Sequence, residues 1–122
     1  MENKEFIVIV TPAPKVTFTV KETDPDHMLR DLQKAVGGFI EIVRPFGHDS
    51  GHLVMVVNDE GLIRGMAANP IGSLLYGDTI AGPIVIMKEG IRNDEPDLIG
   101  LTKEVADFVM RLFGGANNGK RL

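Results

Sequence analysis

The sequence predicts an α+β domain, built as a mostly antiparallel, twisted sheet of about five or six short strands with two main helices and one short helix. Three observations predict it. Apolar runs rich in Val and Ile recur along the chain and are too brief for helices. Gly, Pro, Asn and Asp punctuate them at nearly every place where a turn is needed. Two longer segments carry apolar residues at helical spacing behind a capping residue.

The elements follow in order. Phe6-Ile7-Val8-Ile9-Val10 is an all-apolar run bounded by Thr11-Pro12-Ala13-Pro14, which suits a strand buried on both faces. Val16-Thr17-Phe18-Thr19-Val20 alternates strictly, with Val16, Phe18 and Val20 on one face. Thr23-Asp24-Pro25-Asp26 announces a helix: Asp24 or Thr23 can cap it, Pro25 suits its first turn, and Asp26 faces the positive end of its dipole. Met28, Leu29, Leu32, Ala35 and Val36 form its apolar stripe, and Gly37 stops it in left-handed geometry, so the helix spans Pro25 to Val36.

Phe39 to Arg44 is the next strand, ended by Pro45. A polar loop, Gly47-His48-Asp49-Ser50-Gly51, leads to the apolar strand Leu53 to Val57. Asn58-Asp59-Glu60-Gly61 is a turn in which Gly61 is able to take positive φ, and Leu62 to Arg64 can pair back as a short strand. Asn69-Pro70 caps a brief helix to Tyr76, closed by Gly77. Ile84 to Met87 is the last strand, and Lys88 to Leu101 is a charged connection without clear periodicity. Thr102 caps a second long helix whose stripe is Val105, Phe108, Val109, Leu112 and Phe113. Residues 1–113 read as a single domain and 114–122 as a disordered tail.

Composition narrows the function classes. A chain of 122 residues is long enough for one core, and its 25% charged and 43% hydrophobic content is ordinary for a globular protein. A net charge of −4 argues against a nucleic-acid binder, whose footprint is a basic face. The absence of cysteine excludes disulfides, thiolate metal sites and a cysteine nucleophile. No apolar run has the length of a secretory or membrane segment, so the expected location is cytoplasmic, with no membrane partner.

Several local patterns invite chemistry and have plainer explanations. Gly114 to Lys120 matches the spacing of a phosphate loop, but a helix precedes it and Arg121 follows Lys120 in place of Ser or Thr. His48, Asp49 and His52 could supply three metal ligands, yet Gly47 and Gly51 make a helix there improbable, and a polar turn is the favoured reading. Asp59 and Glu60 read as a solvated hairpin tip. Glu41 reads as solvent-facing or paired with Arg44 or Arg64. Met28, Met55, Met66, Met87 and Met110 read as core filler. No metal, cofactor or catalytic residue is therefore expected.

One place suggests binding. Arg64 and Gly65 lie just before the helix start at Asn69-Pro70-Ile71-Gly72-Ser73. Free N–H groups, a positive dipole end, the close approach permitted by Gly72 and the Ser73 hydroxyl together suit an anion. Arg44 and Arg92 would contribute if the sheet order brought them close. The candidate ligand-binding set is thus Arg64, Asn69, Gly72, Ser73 and Arg44.

The central block, GGFIEIV followed by VVNDEGLIRG, Asn69-Pro70 and GDTIAGPIVIM, resembles a family of small domains of unknown function. Members of that family are carried mainly by bacteriophages, plasmids and conjugative elements of gut Firmicutes. The resemblance covers Phe6 to Met87, is most specific at Gly37-Gly38, Glu60-Gly61, Asn69 and Gly77-Asp78, and leaves out the C-terminal helix. It implies mobile-element ancestry and carries over no catalytic residue. The expected function is a non-catalytic accessory protein acting by protein–protein interaction, on a host protein or on its own copies as a homodimer. The alternative is a protein that sequesters a small anionic, nucleotide-derived ligand and so counteracts host defence.

Overall fold

A computed structural model of the chain describes residues 4–45 and 53–114. The strands are β1 (Glu5–Val10), β2 (Phe18–Thr23), β3 (Ile40–Val43), β4 (Leu53–Asn58), β5 (Ile84–Arg92) and β6 (Glu95–Ile99). The helices are α1 (Met28–Val36), α2 (Pro70–Tyr76) and α3 (Lys103–Val109). A 3-10 turn at Pro25–His27 precedes α1, and α3 runs on into a wider π turn at Met110–Gly114. The class is α+β. Among the described residues no helix is long and apolar enough to cross a membrane.

All strand pairs are antiparallel in a sheet of order β2-β1-β5-β4-β3. β5 is long enough to serve two neighbours on one edge. Its first half pairs with β1 (Val8 opposite Ile86) and its second half with β6 (Gly90 opposite Asp97). At the seam Phe6 and Leu101 exchange main-chain hydrogen bonds of 2.8 and 2.7 Å.

The central strands are apolar throughout because both faces are covered. One face, with Val8, Val10, Met55, Val57, Ile84 and Ile86, packs against Leu75 of α2 and Ala106 and Val109 of α3. The other, with Ile7, Val54, Val56, Val85 and Met87, packs against Met28, Leu32 and Val36 of α1. Each Val, Leu, Ile or Met among them contributes about 1.5–3 kcal/mol on burial. One helix thus covers one face of the sheet and two cover the other.

The 3-10 turn delays α1 to Met28 and β3 is trimmed to Ile40–Val43, and three larger differences from the sequence reading each have a local reason. β2 starts at Phe18 because the Thr11 hydroxyl accepts from Thr17 N–H (2.7 Å) and donates to the Lys15 carbonyl (2.9 Å), holding residues 11–17 in a closed loop. Leu62 to Arg64 is not a strand; Arg64 N–H donates to Glu60 (2.8 Å) and Met66 N–H to Gly61 (2.9 Å), winding the segment into successive turns. Lys88 to Leu101 is not an irregular connection but the end of β5 and all of β6. The two-residue loop Asn93-Asp94, both at positive φ (56° and 64°), makes the hairpin.

The glycines divide by task. Gly37 and Gly77 end α1 and α2 at φ 82° and 89°. Gly61 is not at positive φ; a Cβ there would run into the carbonyl of Ala81, so this glycine permits a close approach between two loops.

Candidate functional site

The residues of the expected anion site are placed clearly, and most of their polar groups are engaged. Asn69 is fully buried; its Nδ2 donates to the carbonyls of Val10 (3.0 Å) and Gly82 (2.9 Å), and its Oδ1 accepts from Gly72 N–H (3.0 Å). Ser73 N–H donates to the Asn69 carbonyl (2.9 Å), while the Ser73 hydroxyl accepts from Ile80 N–H (2.9 Å). Gly72 is buried against Ile80 and Ile84 rather than open to a ligand. Asn69, Gly72 and Ser73 therefore stitch α2 to β1 and to the segment before β5.

The two arginines do not join them. Arg64 Nη1 donates to the Gly37 carbonyl at the end of α1 (3.1 Å), just before β3. Arg44 lies at the other end of β3 and makes a bidentate pair with Glu89 of β5. The set Arg64, Asn69, Gly72, Ser73 and Arg44 thus does not converge on one anion, because its α2 members already serve the fold and its cations sit at opposite ends of an edge strand. Glu41 is exposed and pairs with neither Arg44 nor Arg64.

A different site emerges beside β3. At the β3 end of the sheet, on the α2 and α3 face, a cleft of about 350 Å³ opens between residues 58–63 and 76–81. Its floor is apolar, from Val43, Val57, Ile80 and Ala81. Its rim carries Leu62 and Ile63, 62% and 87% exposed, together with Tyr76. Four carboxylates also line it: Glu41, Asp59, Glu60 and Asp78. Among the described residues, the side chains of Glu41, Asp59 and Glu60 have no hydrogen-bond or ion-pair partner. Asp78 accepts only from the adjacent Thr79 N–H, at 2.7 Å. Among the described residues no Lys, Arg or His lines the cleft.

Local chemistry fixes this geometry. The buried Asn58 amide donates to the Val36 carbonyl (3.0 Å) and accepts from Glu60 N–H (2.7 Å), which orients Asp59 and Glu60 outward. The close approach of Gly61 to Ala81 brings the two walls together. The cleft can thus attract cations through its field and bury apolar groups on its floor. Sequence reasoning took Asp59 and Glu60 as a solvated turn and Leu62-Ile63 as strand. The available signal was two consecutive large apolar residues directly after a turn, with no alternation to bury them.

Elsewhere, Arg92 bridges Glu5 (3.0 Å) and Asp97 (3.0 Å), and Glu5 also accepts from Gly100 N–H (2.9 Å). Burial pulls the guanidinium pKa down, but the bonds to Glu5 and Asp97 outweigh it and hold Arg92 above its ordinary value. This network closes the seam where β1 and β6 part. Among the described residues no group of three or more His, Cys, Asp and Glu could hold a metal. His48, Asp49, His52 and residues 115–122 lie outside the described residues.

Comparison with known proteins adds a family and a fold. A family model described as Domain of unknown function (DUF3846) matches residues 4–114, which extends the likeness through α3. No curated protein matches significantly. Among solved structures, the chain is similar to a crystal structure of small RNA methyltransferase HEN1, with a TM-score of 0.55 and 17% identity. The match covers 87% of this chain but 16% of that one, and at this identity it shows the fold alone.

Proposed function

Since the chain belongs to the family of domains of unknown function DUF3846, whose description assigns no activity, we propose from its surface that it is a non-catalytic accessory protein acting by protein–protein interaction. The observation that carries this reading is the cleft beside β3. An apolar floor, exposed Leu62, Ile63 and Tyr76, and a rim of carboxylates suit a segment of a partner protein that carries both apolar and basic side chains. The resemblance of the central block to domains borne by phages and other mobile elements supports a host protein as that partner. The anion-sequestering alternative finds less support. The cleft is lined by carboxylates, and the donors at the start of α2 are bound to Asn69.

Immobilised chain exposed to host lysate tests the reading, with Ile63→Glu and the charge reversal Glu41→Lys/Glu60→Lys as parallel baits. One defined protein retained by the original chain and lost from both variants is the expected result, with release as salt rises. Retention unaffected by both changes, or no retained protein at all, overturns it.

A further inference from the structure

α3 buries less of its apolar surface than its sequence pattern predicts. The stripe expected to face the core splits in two. Ala106 and Val109 are buried, with Phe113 packed beside them, whereas Val105, Phe108 and Leu112 are 42%, 54% and 56% exposed. These three line one groove, together with Thr102 and Phe113. The groove shares no lining residue with the cleft beside β3. Two exposed charges of opposite sign, Glu104 and Arg111, accompany the stripe, one near each end. They are seven residues apart, close to two turns even with the wider turn from Met110 onward, and so flank it on the same side.

We propose that this face of α3 is where a second copy of the chain docks, antiparallel, with Phe108 against Phe108 of the partner subunit. A two-fold axis crossing the helices at Phe108 reverses chain direction and keeps each flank on its own side. Glu104 then meets Arg111 of the partner subunit, and the pair occurs twice by symmetry. Val105 and Leu112 exchange places across the axis, so apolar positions face apolar positions along the whole stripe. A parallel arrangement, with the two-fold axis along the helices, would carry each flank to the opposite side of the interface, so neither Glu104 nor Arg111 would meet its opposite charge on the partner subunit. The charges are therefore complementary to the chain's own copy in one orientation. The inference does not depend on the function proposed for the cleft.

Sedimentation equilibrium of the purified full chain across micromolar concentrations tests it, with far-UV circular dichroism confirming that each variant is folded. The expected species has twice the 13.3 kDa chain mass. Phe108→Glu shifts it to monomer. Glu104→Arg and Arg111→Glu each weaken association by about tenfold or more, since each sets two like-charged pairs across the axis. The double exchange Glu104→Arg/Arg111→Glu recovers most of the loss. A monomer throughout, a dimer indifferent to Phe108→Glu, or a double exchange no better than either single change overturns the proposal. Should Phe108→Glu fail to fold, the charge-exchange series alone decides, because those side chains are exposed.

Discussion

The side-chain amide of Asn58, at the end of β4, donates to the main-chain carbonyl of Val36, the last residue of α1, across 3.0 Å. That bond ties the α1 layer to the turn that forms one wall of the acidic cleft. The α1 C-terminus exposes carbonyls that its own helix cannot satisfy. Asn58 takes one of the orphan carbonyls, Gln33 accepts from Gly37 and Gly38 N–H, and Arg64 takes the carbonyl of Gly37. Asn58 is buried, so both of its polar atoms need partners, and both have them.

Replacing Asn58 should therefore cost more than removing one hydrogen bond. Asn58→Ala leaves the Val36 carbonyl and Glu60 N–H short of their buried partner, a loss of about 2–3 kcal/mol. Arg64→Ala, at an exposed position, should cost under about 1 kcal/mol. Urea denaturation of both variants checks the order, and equal losses would contradict it.

Gly61 and Gly65 sit in the same turn for different reasons. Gly61→Ala places a methyl against the Ala81 carbonyl, where backbone must move, and should cost about 1–3 kcal/mol. Gly65→Ala meets nothing within 4 Å but forces a side chain onto φ 72°, at about 1–2 kcal/mol. If the cleft walls are held together at Gly61, only Gly61→Ala should alter the environment of Tyr76, read as its fluorescence.

At the seam between β1 and β6, Glu5 matters more than Arg92. Glu5→Leu removes the partner of Gly100 N–H and one of the two partners of Arg92, which keeps Asp97, and should cost about 1–3 kcal/mol, whereas Arg92→Met leaves Glu5 its Gly100 donor. The raised pKa of Arg92 means that its contribution is present below the ordinary arginine range and is lost only as pH rises through a still higher value. Salt-bridge stability here should thus be flat from neutral to moderately alkaline pH. Guanidinium melts at pH 7 and pH 10 provide the check.

Asp24, which caps the turn leading into α1, has its carboxyl pKa lowered, chiefly by the Asp26 N–H that it accepts at 3.0 Å, with His27 and Arg30 assisting. A lowered folded value means that its contribution is present above the ordinary carboxylate pKa of about 4 and is lost as pH falls below it. Asp24→Asn keeps an acceptor and removes the charge, so its stability deficit relative to the original chain should shrink as pH falls through that window. A deficit independent of pH would count against the assignment.

Most of the elements were legible because their signals are local. Asp24, Asn69 and Thr102 announce their helices by capping chemistry, and each accepts a main-chain N–H within the first turn of the helical segment it starts. Gly37 and Gly77 mark the ends through backbone conformation alone. The Asn93-Asp94 hairpin was local too, but its strand partner β6 (Glu95–Ile99) begins with charged residues and Pro96, and therefore carries no alternation.

The candidate site was not legible, because what distinguishes it is what lies across from each residue. Composition and spacing determined the α+β class, the helix caps and the apolar strands. Tertiary structure alone decided that α1 covers one face of the sheet while α2 and α3 cover the other, leaving Val43 and Val57 to floor a cleft. It also decided that Asn69 and Ser73 spend their hydrogen bonds inside the fold, and that Val105, Phe108 and Leu112 of the α3 stripe face outward. A sequence pattern records that a residue is apolar or can donate; only packing assigns its partner, and the groups left without one are those available to bind.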